Sequence, residues 1–119
     1  LLVVDDESVL VEILKNSLER LGYRVTALTD PQQALDRVTA QPEQFQLVLT
    51  DMTMPHLPGD RLVSKILEIN PRIPVILVTG YSERLSDSRA RELGARALLM
   101  KPIGVETLAY KVREVLDKD

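Results

Sequence analysis

Five times along its 119 residues this chain runs through a short apolar stretch, stops on a polar residue, and then changes to helical spacing. That alternation restricts the fold more than any other feature. Leu1-Leu2-Val3-Val4 is wholly apolar and ends in Asp5-Asp6, as expected of a strand buried on both faces. From Ser8, the residues Leu10, Ile13, Leu14, Leu18 and Leu21 fall on one helical stripe, and Gly22 stops it. Arg24 to Leu28 alternates as a strand nearer a sheet edge does. Asp30-Pro31-Gln32-Gln33 then supplies an N-cap, a first-turn proline and a capping-box partner for a helix that turns Ala34, Leu35 and Val38 inward. Phe45 to Thr50 is a second buried run, ending at Asp51. Pro55-His56-Leu57-Pro58-Gly59 is a loop leading to a helix with Leu62, Val63, Ile66, Leu67 and Ile69, which Asn70-Pro71 closes.

Pro74 to Val78 is the clearest strand, closed by Thr79-Gly80. The stretch from Ser82 to Leu93 has only Leu85, Ala90 and Leu93 as apolar anchors, so the fourth helix should be weakly held. Ala97 to Met100 is the last strand, ending in Lys101-Pro102. Val105, Leu108, Ala109, Val112, Val115 and Leu116 mark the terminal helix. Strands alternating with helices form right-handed βαβ units, which set the strands parallel and need helices on both faces. The expected fold is α/β, a flavodoxin-like doubly wound sheet of five parallel strands in the order 2-1-3-4-5 with five helices.

Composition limits what such a fold can do. At 45% hydrophobic and 28% charged, residues 1–119 read as one globular domain with one core, of radius of gyration roughly 13–14 Å. No apolar run approaches the ~20 residues of a membrane-spanning helix, and acids follow the first apolar run at once, so a cytoplasmic location without membrane contact is expected. Having no cysteine excludes disulfides, thiolate metal sites and cysteine nucleophiles, and a single histidine, His56, cannot build an ordinary zinc site. A net charge of −3 and only four aromatic residues, Tyr23, Phe45, Tyr81 and Tyr110, argue against a nucleic-acid surface.

In a doubly wound sheet, ligands bind beyond the carboxyl ends of the strands. Those ends carry Asp5-Asp6, Asp51, Thr79 and Lys101. A single aspartate there is ordinarily a cap or a solvated loop residue; the joint set is what points to chemistry. Two carboxylates ~4 Å apart repel by about 4 kcal/mol at an effective dielectric near 20. Lys101 supplies one positive charge, and oxygen-only ligands call for a hard divalent cation, Mg²⁺ or Mn²⁺. Mg²⁺ uses one or two carboxylates, which leaves another free as a nucleophile toward phosphorus. Asp51, on a central strand between the acidic pair and Lys101, is the best nucleophile. Lys101 and Thr79 suit the charge that builds on a transferring phosphoryl group.

The set Asp5-Asp6, Asp51, Thr79 and Lys101-Pro102, with Leu49-Thr50-Asp51-Met52-Thr53-Met54-Pro55 and Val78-Thr79-Gly80, resembles the receiver domain of two-component response regulators across nearly the whole chain. The resemblance implies that Asp51 takes a phosphoryl group from a phosphohistidine of a histidine kinase or phosphotransfer domain, and that the domain later hydrolyses it. It implies that Asp6, Asp51 and the Thr53 backbone carbonyl ligate the metal, that Asp5 helps through water, that Lys101 contacts the phosphoryl group and that the bond before Pro102 is cis. It also implies a switch in which the Thr79 hydroxyl moves and an aromatic residue three before the lysine swings inward, changing the face made by helix 4, strand 5 and helix 5. Here that position is Leu98, so an aromatic switch is not available there, and Tyr81 is the possible substitute. Thr53 and Tyr81 border the site and are expected to tune phosphoryl lifetime. Similar domains occur at the end of hybrid sensor kinases or ahead of DNA-binding domains; the hybrid-kinase origin is preferred, since Asp117-Lys118-Asp119 does not open a basic effector. The resemblance also admits a homodimer through helices 4 and 5.

A haloacid-dehalogenase-like phosphatase places its nucleophile first and its acidic pair last, the reverse of the order here. A flavodoxin-like cofactor binder needs a phosphate loop where this chain has two acids. A receiver-shaped module that is never phosphorylated would not need the intact set. His56 reads as a solvated turn residue, Met52 and Met54 as packing under the loop, and Arg84, Arg89, Arg91 and Arg96 as a basic, solvated face.

Overall fold

A computed structural model describes residues 1–54, 56–80 and 86–117. The strands are β1 (Leu2–Val4), β2 (Thr26–Leu28), β3 (Val48–Asp51), β4 (Val75–Thr79) and β5 (Ala97–Met100). The helices between and after them are α1 (Ser8–Arg20), α2 (Pro31–Ala40), α3 (Gly59–Ile69), α4 (Asp87–Glu92) and α5 (Val105–Asp117). All strands are parallel, in the order β2-β1-β3-β4-β5. This is the flavodoxin-like sheet expected from the sequence. The radius of gyration is 12.7 Å.

Because side chains alternate along a strand, each apolar run feeds two cores. Leu2, Val4, Val48, Val75 and Leu77 pack on one face against Ala34 and Val38 of α2, Leu62, Val63 and Ile66 of α3, and Ala90 of α4. Val3, Leu49, Ile76, Val78 and Leu99 pack on the other against Leu14 and Leu18 of α1 and Leu108, Val112 and Val115 of α5. Runs without polar interruption are therefore required in the central strands. β2 is an edge strand, only half-buried, and holds three residues in register with β1 instead of the five expected from Arg24.

Several expectations need correction. In α1 the buried stripe is Val11, Leu14 and Leu18, while Ile13 and Leu21 are 53% and 48% exposed. Leu10 is partly buried against the same core, so the stripe runs over Leu10, Val11, Leu14 and Leu18 and leaves Ile13 and Leu21 to solvent. In α5, Val105 is exposed at the first turn. Strand β3 starts at Val48 because β1 is short and its pairing begins at Leu2↔Val48; Phe45 and Leu47 are buried before it. The described part of the fourth helix starts at Asp87, capped by the Ser86 hydroxyl, which accepts from Arg89 N–H at 3.1 Å. The expected helix residues Ser82 to Leu85 lie outside the described residues, as do Pro55, Tyr81, Lys118 and Asp119. Within α4 only Ala90 is buried. Among the described residues, no helix is long and apolar enough to cross a membrane.

Candidate functional site

The carboxyl ends of β1, β3, β4 and β5 meet at one edge of the sheet, and backbone pairing carries each polar residue there. Asp5 N–H still donates to the Leu28 carbonyl at 3.2 Å, so the chain leaves the sheet only after Asp5. Asp51 is the last residue of β3 and stands in register with Val78; Met52 N–H donates to the Val78 carbonyl at 2.8 Å. Thr79 ends β4 and is fully buried. Lys101 N–H donates to the Thr79 carbonyl at 2.8 Å, which brings the residue after β5 back over the site. The Lys101–Pro102 peptide bond is cis, as expected.

The side chains converge. The Lys101 ammonium lies 3.1 Å from Asp5 Oδ2, 3.4 Å from Asp51 Oδ1 and 3.1 Å from Glu7 Oε1. Asp5 and Asp51 are buried, at 1% and 4% exposure, whereas Asp6 is exposed. Asp5, Asp6 and Asp51 each offer a carboxylate oxygen, all within 4.8 Å of one another. At an effective dielectric near 20, two charges at that separation repel by about 3.5 kcal/mol. Burial pushes the Asp5 carboxyl above the ordinary aspartate value, against the pull of the Glu7 N–H at 2.9 Å and of Lys101. For Lys101, burial disfavours the charge, yet the hydrogen bonds to Glu7 and Asp5 and the attraction of Asp5 and Asp51 outweigh it. The ammonium is therefore held above the ordinary lysine value and stays charged at any physiological pH.

Three hard oxygen donors, one of them exposed, with Lys101 against only Asp5 and Asp51 of them, fit a small divalent cation. Asp6 offers a ligand from the solvent side and Asp51 one from the sheet.

Thr53 is exposed in the loop after Asp51, and Met52 and Met54 pack beneath it, Met54 at 4% exposure. Leu98 is half-buried against the core face covered by α2, α3 and α4. His56 is exposed, with φ 71, a turn residue as expected. Arg89 pairs with Glu92 at 3.0 Å on the surface. Tyr81 and Arg84 lie outside the described residues.

Two residues escaped the sequence reading. Glu7 is the third acid of the run Asp5-Asp6-Glu7, and its long side chain reaches Lys101 across 94 residues of sequence. Gly59 opens α3 directly against the strand that carries Asp51. Its N–H donates to the Met52 carbonyl at 2.8 Å, and a Cβ there would collide with the Asp51 carbonyl and lie 2.7 Å from Met52 Cα. A glycine at the start of a helix just after a site loop was the available signal.

A family profile described as the response regulator receiver domain matches residues 1–113. The 3′,5′-cyclic-nucleotide phosphodiesterase regA of Dictyostelium discoideum is 34% identical over 119 residues, 98% of this chain and 15% of that protein. The alkaline phosphatase synthesis transcriptional regulatory protein PhoP of Bacillus subtilis is 30% identical over 98% of this chain and 48% of its own length. The chain thus spans less than half of each of these two relatives. Among solved structures, a response regulator receiver domain protein from Clostridium thermocellum is 30% identical with a TM-score of 0.91, covering 98% of this chain and 92% of that one. A CheY-like receiver domain protein from Methanospirillum hungatei is 32% identical with a TM-score of 0.88, covering 98% and 91%. The phosphatase and cofactor-binder alternatives are not favoured by these matches. With this fold, this strand-end cluster and a profile match over almost its full length, the chain belongs to the response regulator receiver domain family of two-component signalling and is a phosphoacceptor switch.

Proposed function

We propose that residues 1–119 act as one receiver domain in which Asp51 is the phosphoacceptor, with Lys101 and Thr79 completing the reacting centre. The observation that carries this reading is the Lys101 ammonium, shared by Asp5 and Asp51 at 3.1 and 3.4 Å. An Asp51 oxygen attacks the phosphorus of a phosphohistidine on a kinase or phosphotransfer partner. The new O–P bond forms as the P–N bond breaks, and the imidazole leaves. Lys101 and the Thr79 hydroxyl take two of the equatorial oxygens. Asp6, Asp51 and the Thr53 carbonyl would hold Mg²⁺ or Mn²⁺, with Asp5 helping through water, and the ion would supply positive charge to offset that on the transferring phosphoryl group. Thr53, with Tyr81, governs water access. Attack of water on phosphorus breaks the O–P bond and returns the Asp51 carboxylate and inorganic phosphate.

The switch follows from where Lys101 and Thr79 sit. Each stands at the end of a strand, Thr79 ahead of α4 and Lys101 ahead of α5. Drawing both toward Asp51 shifts the face of α4, β5 and α5, with α4 moving most because Ala90 alone is buried in it. Leu98 follows by repacking, without a ring to swing. A change on this face is also where two copies would pair. Incubation with Mg²⁺ and acetyl phosphate should add one phosphoryl mass to the intact protein, lost in Asp51→Asn. An adduct of equal yield in Asp51→Asn, or none in the parent at any Mg²⁺ concentration, would overturn the assignment.

A further inference from the structure

The opposite edge of the sheet holds a cleft that phosphoryl chemistry does not use. It opens at the amino ends of β3, β4 and β5, with a volume of about 910 Å³. Its floor is buried and apolar, made by Phe45, Ile73 and Val115. Around that floor stand the exposed arginines Arg72, Arg96 and Arg113, in a molecule whose net charge is −3. Arg113 is paired with Asp117 at 3.0 Å. Neither Arg72 nor Arg96 has an acidic partner within 4.0 Å among the described residues, and Glu43 is the sole acid in the lining. The rim is also tied in place. Arg96 Nη2 donates to the Arg72 carbonyl at 3.3 Å. Asn70 joins two loops: its Nδ2 donates to the Pro42 carbonyl at 2.9 Å and its Oδ1 accepts from Arg72 N–H at 3.1 Å.

We infer that this cleft is a docking groove for a short acidic peptide segment of a partner protein, one that sets an apolar side chain on the floor and carboxylates against Arg72 and Arg96. Charge complementarity selects the occupant. A long nucleic-acid backbone would meet the acidic remainder of the surface. A free inorganic anion would leave the apolar floor unused, and an open groove of this size exceeds what it needs. An acidic chain with one apolar residue satisfies both parts of the lining. The groove lies the length of a strand from Asp51, about 15 Å for five residues, so occupancy and phosphorylation need not compete.

The test is fluorescence anisotropy with a labelled octapeptide in which one leucine is flanked by glutamates and aspartates. Saturable binding with Kd below about 1 mM is expected, weakening as salt rises. Arg72→Gln/Arg96→Gln should weaken it about tenfold, with smaller losses in Arg96→Gln alone, because exposed ion pairs contribute modestly. Replacing the leucine by serine should weaken it too, and the yield of the Asp51 phosphoryl adduct should be unchanged in both variants, which also reports that they are folded. Absence of saturable binding to the parent, affinity unchanged in the folded double variant, or equal binding of a peptide with glutamines for its acids would overturn the proposal.

Discussion

At the scale of single residues, the site is governed by competition for one lysine. Lys101 already bonds Asp5 and Glu7 and lies near Asp51, so in the proposed reaction an incoming phosphoryl group has to displace a carboxylate to reach it. Glu7 is the partner that can leave, since its side chain is 63% exposed while that of Asp5 is 2% exposed. Glu7→Gln keeps the shape, removes one negative charge from the mouth of the site and loosens the hold on the ammonium, since a neutral amide oxygen accepts more weakly than a carboxylate. Phosphorylation by acetyl phosphate should therefore run about three- to tenfold faster, measured at subsaturating donor, with an effect that shrinks in high salt. Asp5 answers to pH differently. Its carboxyl is held above the ordinary aspartate value, so the fold prefers its protonated form, and ionisation costs stability at neutral pH. That cost vanishes as pH falls below the unfolded value near 3.8. Metal-free Asp5→Asn should thus melt above the parent at pH 7, and the gap should close in acid. Thermal melts followed by circular dichroism would check both ends of that range.

At the scale of elements, two helices meet the sheet in opposite ways. α3 buries Leu62, Val63 and Ile66 and starts with Gly59 pressed against the backbone of Asp51. Gly59→Ala has to push the helix off β3 through backbone contacts, so a loss of about 2 kcal/mol or more is expected in denaturant unfolding, together with slower phosphorylation. α4 buries Ala90 alone, so its amides should exchange fastest among the described helices, and phosphorylation should alter protection in residues 86–93 more than in α3. A mass-resolved exchange experiment with equal changes in both helices would contradict that view of the switch. How much of these elements was legible varies. The central strands β1, β3 and β4 were, because burial on both faces leaves a largely apolar run, whereas the half-buried edge strand β2 is shorter than its alternation suggests. The face of α1 was legible in part: Leu10, Leu14 and Leu18 meet the core as expected, but Ile13 and Leu21 are as apolar as Val11, and only docking on the sheet buried Val11 and left those two exposed.

At the scale of the whole molecule, the acidic cluster opposes folding unless a cation joins it. Three carboxylate oxygens, of Asp5, Asp6 and Asp51, lie within 4.8 Å of one another, and only Asp5 and Asp51 of them share Lys101, with Glu7. Binding to the folded state alone stabilises by RT ln(1 + [L]/Kd), about 1.4 kcal/mol at ten times Kd. For a domain of this size, Mg²⁺ at that concentration should raise Tm by about 5 °C, and Asp6→Asn or Asp51→Asn should lose most of the increase. An equal shift in Asp6→Asn would move the metal site away from this cluster.

The sequence by itself determined the fold class and the chemical types at the strand ends. Both are local properties: strand burial is written in each apolar run, and a parallel βαβ sheet carries the residue after each run to the same edge. Tertiary structure alone decided which of those groups touch. Asp5 is buried and Asp6 exposed though they are neighbours, Glu7 meets Lys101 from 94 residues away, Gly59 lies against Asp51, and Arg72, Arg96 and Arg113 surround one cleft. Such contacts join segments far apart in the chain. They depend on the register and packing of whole elements, which no local pattern of residues specifies.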